Sequence, residues 1–453
     1  MDWNILSVLI LTTLGLFTLG FIVSSVLSFS EREYGAGKKL ALVSFLLIFI
    51  TLLLGLLPYS GKILVAASLI MFLIITIFLI VKKPTSLSGI EQPKPFRDKD
   101  ELDTIFARMK LKPSSKEWEE YYQNQPYEFG QDAKARSLPG LLSEKSLYYN
   151  PLTFSSANSN FQIIEYLHKA IKHPVNRKMI EVGPEKLTIY LKEWAIHLGA
   201  HSVGITELKD YHLYTKRGRG EDMGKSVVQK HRFAFAFTVE MDFLNVQAAP
   251  ASSIVFESSQ QYLNSATIAL QLAIFLKNLG HDARAHIDGD YEIICPLVGR
   301  DAGLGEIGRM GLLMTPKLGP RVRVAVVTTS APLQVDKVES DPTMVEFCKF
   351  CKKCAECCPG QSIPMDEMKE INGVNRWKIN SESCYQYWCT SGTDCGRCIS
   401  VCPFSHPNNL LHNTIRHLIR RSNILARFAY IADDLLYGRK PKPKKLPNWM
   451  SIN

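Results

Sequence analysis

The sequence predicts an α/β (α+β) domain, led by three transmembrane helices and followed by a compact cysteine-dense module. Three observations carry that prediction. Three apolar runs without a charged residue lie within the first 83 residues. Helical periodicity then alternates with short β-branched runs from about residue 161 to 333. Finally, all but one of the 11 cysteines lie between Cys348 and Cys402. At 453 residues the chain has room for two or three domains.

The apolar runs, residues 5–27, 40–57 and 63–81, are each 18 to 23 residues long. That is enough to cross ~30 Å of hydrocarbon. Residues 1–4 hold no Lys or Arg and two spans follow the first, so a cleaved signal peptide is the poorer reading. No twin-arginine pair occurs in the first hundred residues. Arg32, Lys38 and Lys39 follow the first run, Lys62 alone separates the second from the third, and Lys82, Lys83, Lys94, Arg97 and Lys99 follow the third. The positive-inside rule then sets the N-terminus outside and the large domain inside. The expectation is a multi-pass inner-membrane protein (three spans) whose main domain faces the cytoplasm. The net charge of +10 is modest and scattered, so no nucleic-acid partner is expected.

Five parts follow: the anchor at 1–83, a linker and N-terminal extension at 84–160, an α/β domain at 161–340, the cysteine module at 341–410, and a C-terminal helix and basic tail at 411–453. Residues 84–100 are Pro-rich and polar, as a linker is. Residues 101–160 carry aromatic residues for packing but no chemistry. "EKLTIYLKEWAIHLG" reads as a helix ended at Gly199, followed by a strand. "SATIALQLAIFLKNLG" is a helix closed by Gly280, and "RVRVAVVTTS" is a strand.

Cys348, Cys351, Cys354 and Cys358 stand as C-x2-C-x2-C-x3-C before Pro359. This is the ferredoxin-like run, in which three close thiolates hold one [4Fe–4S] cluster and the fourth crosses to a second. Cys395, Cys398 and Cys402 precede Pro403 in the same manner and lack one ligand, which Cys384 best supplies, with Cys389 its rival. The expected sets are Cys348, Cys351, Cys354 and Cys402 for one cluster, and Cys358, Cys384, Cys395 and Cys398 for the other. Zinc knuckles would keep each four-ligand set local and have no use for cysteines placed before prolines. Cys357 and Cys295 read as packing thiols.

The segment "RDAGLGEIGRMGLLMTPKLGPRVRVAVVTTSAPL" (residues 301–333), just ahead of the double cluster motif, resembles the corrinoid-dependent reductive dehalogenases, as does "CYQYWCTSGTDCGRCISVCPFSHP". The resemblance covers roughly residues 160–440. It implies a nitroreductase-like domain binding cobalamin, a metal-bound corrinoid, beside the two clusters. It also implies reductive cleavage of a carbon–halogen bond, with protonation by a tyrosine that a nearby cation assists. Carried onto this chain, the resemblance makes Tyr262 the acid and Arg309 the cation. Gly303, Gly305 and Gly308 would line the corrin, and Asp288 would lie near the site. Partners implied are an organohalide, a low-potential electron donor (ferredoxin, flavodoxin or quinone-linked) and the lipid bilayer. The familiar respiratory members differ in having a twin-arginine signal and a separate membrane subunit.

Two other readings compete. Epoxyqueuosine reductases, which modify tRNA, share the architecture and use an aspartate within an "RDYH"-like string, matched here by "KDYH" at 209–212. That string lies far ahead of the helix on which the acid should stand. The third reading is a non-catalytic membrane electron-transfer subunit.

Overall fold

The computed structural model describes residues 3–55, 58–81, 97, 99–338, 341–371 and 374–451. Most of the expected linker, with Lys82, Lys83 and Lys94, lies outside them. The chain forms two compact units, one of residues 1–88 and 407–441, the other of residues 89–406 and 442–453.

The first unit opens with the helices Trp3–Ser30, Tyr34–Gly55 and Tyr59–Val81. A three-residue turn makes the first two a helical hairpin, and Arg32 takes a left-handed φ of 61° within it. The helices close against each other because Gly37 has no side chain: a Cβ there would come within 3.0 Å of the Phe29 ring. Ser25 Oγ donates to Gly37 O at 2.9 Å across the same contact. Of the three spans expected, two are long and apolar enough to cross a membrane among the described residues, Ile10–Ser30 and Tyr34–Leu54; the third is so over the shorter Ser60–Met71. The tail expected as one helical stretch is two helices, Leu410–Arg421 and Asn423–Tyr437, and it joins this unit.

The second unit is built on a four-stranded sheet: β1 Ser202–Glu207, β2 Phe233–Glu240, β3 Ala283–His286 and β4 Val322–Thr329. Its order is β1-β2-β4-β3, and every pairing is antiparallel. The wholly antiparallel sheet makes the domain α+β, the second of the two classes in the α/β (α+β) expectation. Side chains alternate across a strand, so Phe233, Phe235 and Phe237 of β2 share one face with Ala325 and Val327 of β4. That face packs on the long helix Ser253–Asn278 through Ala266, Ala269 and Ala273. Ala234, Ala236 and Val326 line the other face, against Val298 and Leu313. A sheet covered on both faces reads as nearly continuous apolar strands, which is why the sequence looked like α/β. Gly199 and Gly280 do close the helices ending at His197 and Asn278.

Residues 101–160 form helices that grip the cysteine module. Arg108, 1 % exposed, meets Asp132 at 2.7 Å, Glu128 at 3.0 Å and Glu382 at 3.1 Å. Glu382 lies on the helix Ser381–Ser391, and Gly140 and Leu142 donate main-chain bonds to Cys389 and Gly392 at its end.

Candidate active site and cysteine centres

Both cysteine runs make short helices broken by left-handed turns. Lys352 (φ 55°) stands between Thr343–Cys351 and Lys353–Glu356, and Cys395 and Gly396 (both φ 60°) stand before Arg397–Ser400. Glycine is required at 396, where a Cβ would come within 2.4 Å of Ile254. These reversals turn successive thiols toward common interiors, and the thiols sort into two groups. Cys402 lies in the field of Cys348, Cys351 and Cys354. Cys395 and Cys398 lie in the field of Cys384 and Cys358. Cys398 also feels Cys354, so the groups adjoin. Cys384 and Cys395 are pushed up to about 12 by burial. A bound metal is what converts such thiols to thiolates. Among the described residues no three His, Cys, Asp or Glu side chains converge as a single metal ion requires. Two neighbouring sets of four thiols fit the wider embrace of iron–sulfur clusters. Cys389 lies apart, beside Tyr385; Cys357 lies beside Arg397, and Cys295 packs into the core.

Tyr262 stands in the third turn of Ser253–Asn278, because the helix begins ahead of its clear apolar period, which opens at Ser265. Period two in β4 turns Arg323 to the helix face, and its guanidinium carbon lies 4.9 Å from the Tyr262 ring centroid. Arg323 Nη2 donates to Asp394 Oδ2 at 2.9 Å and to Ser258 Oγ at 2.5 Å. Ser258, one helical turn before Tyr262, in turn donates to Asp394. Asp394 directly precedes Cys395, so this network abuts the second thiol group.

Arg323 exerts the largest influence on Tyr262 and pulls its pKa down. Burial, together with Asp288 and Asp394, outweighs it, and the phenol ends above its usual value. Burial likewise raises the carboxyls of Asp288 and Asp394, against the pull of Arg323 and, for Asp288, Arg219. Tyr262, Asp288, Asp394, Arg219 and Arg323 thus form one half-buried charged constellation. His168 Nε2 lies 2.8 Å from the Asp288 carbonyl oxygen and steadies that loop. Arg323 Nε and Asp394 Oδ1 are buried without a hydrogen-bond partner, leaving polar atoms for a bound group.

Arg309 is elsewhere. Fully buried, it donates to the main-chain carbonyls of Cys348 (3.1 Å), Lys349 (3.3 Å), Pro364 (2.8 Å) and Asp366 (2.7 Å), and its guanidinium carbon lies 4.5 Å from the Trp377 ring centroid. The cation over Tyr262 is Arg323, not Arg309. The glycine loop also differs from expectation, since protein fills the space its missing side chains leave. A Cβ at Gly305 would lie 2.0 Å from Met314 O, at Gly308 2.2 Å from Met314 Sδ, and at Gly303 3.2 Å from Val338. Gly305 and Gly308 let the loop close onto the strand pair Glu306–Ile307 and Leu313–Met314. Asp210 of "KDYH" is an exposed partner of Arg97 at 3.1 Å, and Tyr211 and His212 bond Asp301.

Arg323, Asp394 and Ser258 escaped the sequence reading. The signals were present: an arginine inside an otherwise apolar strand, and a carboxylate adjoining a cysteine ligand candidate.

Residues 347–406 match the family model of a 4Fe-4S dicluster domain. The chain is 35% identical over 198 residues to a tetrachloroethene reductive dehalogenase of Desulfitobacterium hafniense (41% of this chain, 35% of the relative). It is 34% identical over 203 residues to one of Sulfurospirillum multivorans (43% and 40%). The chain therefore spans little more than a third of the length of these curated relatives. A solved catabolic reductive dehalogenase in complex with 3-bromo-4-hydroxybenzoic acid superposes with a TM-score of 0.62 at 22% identity, covering 79% of this chain and 48% of the other. Another, described with a mechanism for B12-dependent dehalogenation, gives 0.60 at 22% (80% and 49%). The chain is thus a homologue of tetrachloroethene reductive dehalogenases over some two-fifths of its length, with the fold of the solved reductive dehalogenases and a 4Fe-4S dicluster domain.

Proposed function

We propose that the chain is a membrane-anchored, cobalamin-dependent reductive dehalogenase. The observation that carries this reading is the half-buried Tyr262 beneath Arg323, in a network ending one residue from Cys395. The overall change is R–X + 2e⁻ + H⁺ → R–H + X⁻. Cys348, Cys351, Cys354 and Cys402 would hold one [4Fe–4S] cluster, and Cys358, Cys384, Cys395 and Cys398 the other. Those two sets of thiolates would give a path inward for electrons from a low-potential donor: a ferredoxin, a flavodoxin or a quinone-linked carrier. A corrinoid bound in a nitroreductase-like domain would supply the electrons that break the carbon–halogen bond. Arg323 Nε and Asp394 Oδ1 are the free polar atoms available to it.

Tyr262 holds the proton at its Oη. Its raised pKa keeps the phenol protonated at neutral pH, and Arg323 stabilises the phenolate as the proton leaves for carbon. Asp394 and Ser258 hold the guanidinium over the ring. The partly enclosed setting of the constellation limits bulk water as a competing proton source.

The test is anaerobic purification in detergent with cobalamin supplied, followed by metal analysis. About eight iron and one cobalt per chain are expected, with halide released from an organohalide under strong reduction. Full iron without cobalt would overturn the enzymatic reading and leave an electron-transfer subunit.

A further inference from the structure

The helix Asn423–Tyr437 is turned inside out for a water-soluble surface. Ile424, Phe428, Ile431 and Leu435 recur at spacings of four, three and four, so they form one stripe. They are 51%, 63%, 51% and 67% exposed. The opposite side buries Ala426 and Asp433. A helix packed on a protein in water buries its apolar stripe and exposes its carboxylates.

The rest of its unit says what covers the stripe. Lys39 Nζ donates to Leu435 O at 2.5 Å, at the start of the second apolar helix. Glu31, just past the first, accepts from Asn409 Nδ2 at 2.5 Å and lies 3.2 Å from His412 Nε2. Both ties fall at the charged turn of the apolar hairpin, where such a hairpin leaves hydrocarbon. At 15 residues the helix is ~22 Å long, too short to cross a bilayer of ~30 Å, and Arg427, Asp433 and Asp434 forbid burial of its whole circumference. Arg420, Arg421 and Arg427 supply cationic charge along the same helix pair.

We infer that Asn423–Tyr437 is an interfacial membrane helix, lying in the plane of the bilayer with the Ile424, Phe428, Ile431 and Leu435 stripe among the lipid chains. This rests on the apolar helices being membrane spans and is independent of the chemistry at Tyr262.

The experiment uses the full chain in vesicles of phosphatidylethanolamine and phosphatidylglycerol, with photoreactive benzoylphenylalanine replacing Phe428, Ile431 or, as the buried-face control, Ala426. Lipid adducts at 428 and 431, but not at 426, are expected. Crosslinks from the stripe to a second copy or another protein, or no adduct, would overturn the inference. The variant Phe428→Glu with Leu435→Glu should keep its iron and its resistance to alkaline extraction, while trypsin cuts within residues 420–427 about tenfold faster; unchanged cleavage would also count against it. If the unaltered chain washes off membranes in alkali, the anchor reading fails together with this one. A chain that stays embedded without lipid adducts refutes the interfacial helix alone.

Discussion

Arg323 and Arg309 lie only 14 positions apart, the first mostly and the second fully buried, yet their surroundings are opposite. Arg323 bonds a carboxylate and a hydroxyl and turns its charge to the Tyr262 ring. Arg309 spends its hydrogen bonds, among the described residues, on main-chain carbonyls beside Cys348. A guanidinium held by a carboxylate is oriented, and here its charge is aimed at one neighbour, the Tyr262 phenol. One held by neutral carbonyls keeps its field, which reaches the thiols of Cys348 and Cys354. Burial of a cation therefore does not by itself indicate its task; its acceptors do.

The comparison can be broken most sharply at the tyrosine. Tyr262→Phe should lower turnover by roughly 10²–10⁴-fold while iron and cobalt content stay whole; undiminished turnover would remove the phenol from the reaction. Next in size is Arg323→Gln. It withdraws the largest influence holding the phenol's pKa down, so the pKa climbs further and turnover should fall on the order of 10²-fold, with Arg323→Lys partly restoring it. An equal loss in both variants would point to packing rather than charge.

Arg309→Gln sharpens the contrast from the other side. Losing an unbalanced positive charge beside the first thiol group makes its cluster harder to reduce, so a redox titration should show a lower midpoint. A tenfold change in the one-electron equilibrium is ~59 mV. Arg309→Lys should return most of the shift, with only a few-fold change in turnover in either variant. The smallest effect concerns Asp288, whose folded pKa burial raises above the usual carboxylate value. Between the unfolded and folded values the native state binds the extra proton, so stability falls as pH rises through that window. Asp288→Asn should therefore melt slightly higher than the parent at pH 8, with the gap closing toward pH 4 in thermal melts. A lower melting point at pH 8 would reverse that assignment.

The two thiol groups were legible because cysteine spacing constrains ligand geometry over a few residues. Cys384 rather than Cys389 falls near Cys358, Cys395 and Cys398 for the same local reason: the helix Ser381–Ser391 turns them to different sides. The long helix with Tyr262, the strand with Arg323 and the terminators Gly199 and Gly280 were readable from apolar period and turn chemistry. The start of the long helix was not, because "SIVFESSQQ" mixes polar and apolar residues and is held by packing on its neighbours.

What the sequence by itself determined is thus the local content: apolar helices, cluster-type cysteines, and a tyrosine on a helix before them. Tertiary structure alone decided which arginine meets that tyrosine. The antiparallel register of β4 between β2 and β3 turns Arg323 to the helix, whereas the closed glycine loop carries Arg309 to the cysteine run. It also joined residues 407–441 to the first 88, through bonds from Lys39 and Glu31 to partners nearly 400 positions away. Spacing along a chain encodes neighbours within a turn or a strand, and contacts across such distances depend on how the faces of completed elements meet.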